Sequence, residues 1–65
     1  MNWKVIYRSE RVRIETAGEM YWKVVPATSS RGKVFRGESA WSDAARLAGD
    51  IDPRSALVIH DTEAY

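Results

Sequence analysis

Apolar and polar residues alternate through the first half of the chain with the two-residue period of β-strands. Trp3, Val5 and Tyr7 fall on one side of the first segment, and Lys4, Ile6 and Arg8 on the other. A tight turn at Ser9-Glu10 leads into Arg11-Val12-Arg13-Ile14-Glu15, where Val12 and Ile14 are apolar between charged neighbours. Ala17-Gly18-Glu19 reads as a turn. Met20 to Val25 follows as a third strand, with Trp22 and Val24 inward, Tyr21 and Lys23 outward, and Pro26 as its stop. Past a polar loop at Thr28-Ser29-Ser30-Arg31-Gly32, Lys33-Val34-Phe35-Arg36 forms a short fourth strand. Short strands joined by short connections predict an antiparallel meander.

After Gly37 the period lengthens. Trp41, Ala44, Ala45, Ala48 and Ile51 recur at helical spacing, and Leu47 widens the stripe. Ser39 or Ser42 can cap the start, Asp43 suits the positive end of the helix dipole, and Gly49 and Pro53 close the element. A helix of roughly ten residues draws its stability from docking on a sheet, and alanines on its inner side allow a close approach. Leu57-Val58-Ile59 is almost continuously apolar, which predicts a last strand buried on both faces inside the sheet. The expected fold is α+β: one domain over residues 1–65, a mainly antiparallel sheet of four to five strands, and one helix packed on one face, in the order ββββαβ.

From Trp22 to Asp61 the chain resembles a family of short, uncharacterised bacterial domains. The residues that carry the resemblance are Trp22-Lys23-Val24, Gly32, Val34-Phe35, Trp41-Ser42-Asp43-Ala44-Ala45 and Leu57-Val58-Ile59-His60-Asp61. Thr62-Glu63 stand where that family usually has a glycine, and the basic segment from Trp3 to Glu15 is additional. The resemblance implies a ββαβ core and no particular activity. In size and architecture the chain is also similar to phage-encoded inhibitor proteins of the anti-CRISPR type.

With 65 residues, a core can only be small. Seven aromatic side chains, Trp3, Tyr7, Tyr21, Trp22, Phe35, Trp41 and Tyr65, are expected to supply much of it. There is no cysteine to staple the fold or bind a metal as thiolate. No apolar run approaches a membrane span, and the first residues lack a signal-peptide core. The expectation is a soluble cytoplasmic protein without membrane contact. Homodimerisation, the usual alternative support for a small core, stands level with a monomer.

The candidate chemistry is thin. The single histidine, His60, precedes Asp61, but a Ser-His-Asp relay needs the acid on the far ring nitrogen, and strand neighbours point to opposite faces. Asp50 and Asp52 flank Ile51 beside Pro53, a pattern that suits Asx turns better than acid–base work. One histidine without cysteine does not make a zinc set, and isolated glycines do not make a phosphate loop. The expectation is a chain that is not an enzyme and holds no cofactor or metal.

Charge is more informative. Residues 1–36 carry eight cations and three acids, a balance of +5, whereas residues 37–65 carry two cations and six acids, a balance of −4. If one sheet face is uncovered, Lys4, Arg11, Arg13, Lys23 and Arg36 are expected on it together with Tyr21. Such a face could dock on a host protein or nucleoprotein complex, with nucleic acid as the alternative partner, or its charges could pair with the acidic half of the same molecule. A module of this kind suits a phage or mobile-element inhibitor of host machinery. Sheet edges offer a second route: Arg11 and Arg13 look like guards of their strand, and the third segment, if it lay at an edge, could accept an added strand.

Overall fold

The computed structural model describes residues 2–18 and 20–63. Tyr65, expected in the core, and Glu19, expected in the turn after the second strand, lie outside them. Four strands, β1 (Lys4–Arg8), β2 (Val12–Thr16), β3 (Tyr21–Pro26) and β4 (Lys33–Arg36), pair in chain order as an antiparallel meander. Two helices follow, α1 (Ala40–Ile51) and α2 (Pro53–Glu63), and pack as a second layer on one face. The α+β class and the meander agree with the sequence reading. The fifth strand and the single helix do not.

Residues 57–59 belong to α2, whose start explains the difference. Asp52 adopts an extended conformation (φ −148°, ψ 106°) between the helices. Its carboxylate Oδ1 accepts the Arg54 N–H at 3.1 Å, and its carbonyl accepts the Ser55 N–H at 3.0 Å. Pro53, with its fixed φ and no N–H to donate, ends one helix and suits the first position of the next. Three apolar residues in a row are ambiguous in period, and this N-terminal cap decides for helix. Along α2, Ser55 and Ile59 are buried and Leu57 is 65% exposed.

The core is built from Val12, Ile14, Trp22 and Val24 of the sheet, Ala40, Ala44, Ala45 and Ala48 of α1, and Ile59 of α2. The four alanines keep α1 close to β3 and β4, as their small side chains predict. Ser39 precedes α1, but its hydroxyl donates to Asp43 Oδ2 at 3.2 Å and makes no capping bond to the helix backbone. Gly49 sits inside the helix instead of ending it.

β1 departs from simple alternation. Val5 pairs with Glu15 and Tyr7 with Ile14, so Ile6 is an extra residue in a β-bulge. As a result Ile6 and Tyr7 both pack against the core, while Val5 keeps company with Glu15 on the other face. Pro26 is the last residue of β3, paired with Val12, and not a stop before it.

Candidate docking face of the sheet

The helices cover one face of the meander and no helix covers the other, although Glu15 and Val25 on it are buried. Cross-strand partners share a face, so the register defines the open side: Val5, Glu15, Lys23 and Val34 form one row, Tyr21 and Arg36 a second, and Arg8, Arg13 and Val25 a third. The four strands contain six cations and a single acid, Glu15. Arg13 Nε donates to Glu15 Oε2 at 3.1 Å, and this is the one ion pair among the described residues. No ion pair there joins the basic sheet to the acidic helix layer, although Arg11 lies close enough to Asp52 to act on its carboxylate.

Trp3, expected in the core, lies beside this face. The Lys23 ammonium stands 4.3 Å from the centre of its ring, a cation–π contact. Trp3, Tyr21, Val34 and Arg36 line a hollow of about 390 Å³. Its lining is two aromatic rings, one valine and one guanidinium. Those features suit a side chain from another macromolecule better than a small molecule held by converging polar groups. Val5 and Val34 are 42% and 49% exposed, so the face is amphipathic and not simply charged.

Of the six residues expected on a basic face, the structure brings together Arg13, Tyr21, Lys23 and Arg36. Lys4 pairs with Thr16, on the opposite side and at the sheet margin, because the bulge shifts the phase of β1. Arg11 lies in the β1–β2 turn beside Asp52, away from the open rows. Sequence reasoning missed Arg8, Trp3, Val5 and Val34 as members of the face. Arg8 and Val34 follow by alternation from Tyr7 and Arg36, whereas the bulge at Ile6 reverses the side expected for Val5. The third segment is interior, between β2 and β4, so it has no free edge to offer.

A second polar centre sits at the helix corner. Asp52 Oδ2 accepts the Ser9 hydroxyl at 2.8 Å and the Tyr7 hydroxyl at 3.1 Å. The Ser9 bond, opposed by partial burial and aided by the Arg54 amide, Tyr7 and the charge of Arg11, holds the carboxyl below its ordinary value. A carboxylate with its acceptor sites filled in this way is a structural anchor, poorly placed for proton transfer near neutrality. Ser55 is buried, its hydroxyl donating to the Asp52 carbonyl at 2.6 Å. The rings of the exposed His60 and of Trp41 form a T-shaped pair, with centroids 5.4 Å apart.

Among the described residues no helix is long and apolar enough to cross a membrane. No family model matches the chain, and no curated protein or solved structure is significantly similar to it. The functional reading therefore rests on the face itself.

Proposed function

We propose that the chain is a non-enzymatic interaction module that docks on the acidic surface of a protein, alone or within a nucleoprotein complex, through the open basic face of its sheet. The observation that carries this reading is the register that sets Arg8 directly across from Arg13. Like charges opposite one another on a sheet cost stability, and a face that retains them concentrates positive potential where a partner can use it. Lys23 and Arg36 extend that potential across the sheet to the aromatic hollow. The exposed valines favour a protein over a phosphate backbone, because a phosphate gains nothing from them. An inhibitor of cellular machinery, of the anti-CRISPR type among others, is one biological form of such a module.

The test is capture from a native lysate by the tagged protein, run beside a variant carrying Arg13→Glu, Lys23→Glu and Arg36→Glu whose fold is checked by circular dichroism. A salt-sensitive partner retained by the parent and lost by the folded variant supports the reading. Equal capture by both overturns it. A steeply salt-dependent gel shift of random-sequence DNA or RNA by the parent would replace it with nucleic-acid binding.

A further inference from the structure

We infer that the free edge of β4 receives an extended acidic segment of the partner as an added strand; this rests on the docking face proposed above and specifies how it is used. The two edges of the sheet are β1 and β4. β1 is bulged, and α2 packs beside it; a bulge is a common way of closing an edge to pairing. β4 has neither a bulge nor a proline. The Gly37 N–H donates to the carbonyl of Met20 directly opposite it, at 3.0 Å, which fixes the phase of the β3–β4 ladder. Lys33 and Phe35 bond inward to β3, and the N–H and C=O groups of Val34 and Arg36 point to the free edge. These are two consecutive docking positions of the kind used in strand addition.

The charges at that edge select the incoming strand. β4 holds Lys33 and Arg36 and no acid, Arg31 precedes it, and Lys23 lies in the neighbouring strand. A second copy of this chain would bring the same cations against themselves, and like charges across a sheet repel. An extended segment with alternating carboxylates meets Arg36 and Lys23 on the open face. The next carboxylate on that face falls beside Val34, in the row that holds Lys23, and the intervening side chains lie on the other face beside Lys33 and Phe35.

The probe is a short fluorescein-labelled peptide of alternating Glu and Val, followed by anisotropy at low salt. It should bind the parent protein. N-methylation of the alternate amides that would face β4 should weaken binding about tenfold through lost backbone bonds. Val34→Pro should act similarly, since the N–H it removes faces the edge and not β3. Failure of the parent peptide to bind, or equal binding of the N-methylated peptide, overturns the inference. In the latter case, sensitivity to Lys23→Glu leaves the docking face intact and removes only the added strand. Insensitivity to both changes removes the docking face as well.

Discussion

The hydroxyl of Ser9 donates to the carboxylate of Asp52 at 2.8 Å, joining the first hairpin to the corner between the two helices. Ser9 also receives the Val12 amide on its oxygen at 3.3 Å, so one side chain shapes the turn and fastens it to the second layer. On the other side of the contact, Asp52 closes α1 through its own N–H to Ala48 and opens α2 through its side chain. The chain's two layers are thus coupled by a residue whose local role is to cap a helix.

That coupling carries a pH signature. The folded-state pKa of Asp52 lies below its ordinary value of 3.8. Its stabilising contribution is therefore complete above that value and fades as pH falls through the lower folded one. Asp52→Asn keeps an acceptor for the cap and removes the charge. We expect the melting temperature of the parent to exceed that of Asp52→Asn at neutral pH, with the gap closing on acidification below about pH 4. A gap that stays constant to pH 2 would show that the Ser9 and Tyr7 bonds do not depend on the ionised form.

Leu57 and Ile59 separate the helical from the extended reading of the last element. Two residues apart, they would share a face on a strand, but on a helix they lie on different sides. Ile59 is fully buried and Leu57 is 65% exposed. Ile59→Ala should cost about 2–5 kcal/mol, a large part of the stability of so small a domain. Leu57→Ala should stay within about 0.5 kcal/mol. Chemical denaturation of the two variants measures both, and comparable losses would contradict the helix.

How far the sequence could be read follows from the same residues. Trp22 and Val24 against Tyr21 and Lys23 form an unbroken alternation, so β3 and its two faces were legible. Ala44, Ala45 and Ala48 identified α1 equally well. Leu57-Val58-Ile59 was misread because three apolar residues fit either period, and Pro53 was taken as the end of the previous helix and not as the start of the next. The β1 bulge was invisible because the insertion of Ile6 is defined by its pairing with β2 and not by its own sequence. That one residue changes which of Lys4, Val5 and Arg8 join the open face, so the candidate site was only partly readable before the register was known. Asp52 could be read as a turn residue, but its bonds to Tyr7 and Ser9 span more than forty positions and leave no local trace.

Gly32 marks a close approach on the open face. A Cβ at this position would lie 2.6 Å from Val25 Cγ2 and 2.8 Å from Lys23 Cγ, both near the root of their side chains, where little can move. Gly32→Ala should destabilise the domain by about 1–3 kcal/mol, the usual cost of overpacking. Adding Val25→Ala should recover part of that loss, because it removes the nearer obstacle. A double-mutant cycle in urea reads the coupling, and strict additivity would place the strain elsewhere.

Arg8 offers a case in which stability and docking should move in opposite directions. Its cross-strand partner is Arg13, whose guanidinium turns toward Glu15, an arrangement that lessens the repulsion without removing it. Replacing Arg8 with Glu converts a like-charge pair into an attractive one, which should raise stability by about 0.2–1 kcal/mol. The same change removes one of four cations from the open rows and adds an acid, so affinity for the alternating Glu–Val peptide should fall, most clearly at low salt where screening is weak. A residue retained only for the fold would not show this opposition. If Arg8→Glu lowers the melting temperature, the register across β1 and β2 does not set these charges against each other. If it raises the melting temperature while peptide affinity is unchanged, the basic rows are a solvated surface and the docking face has no role for them.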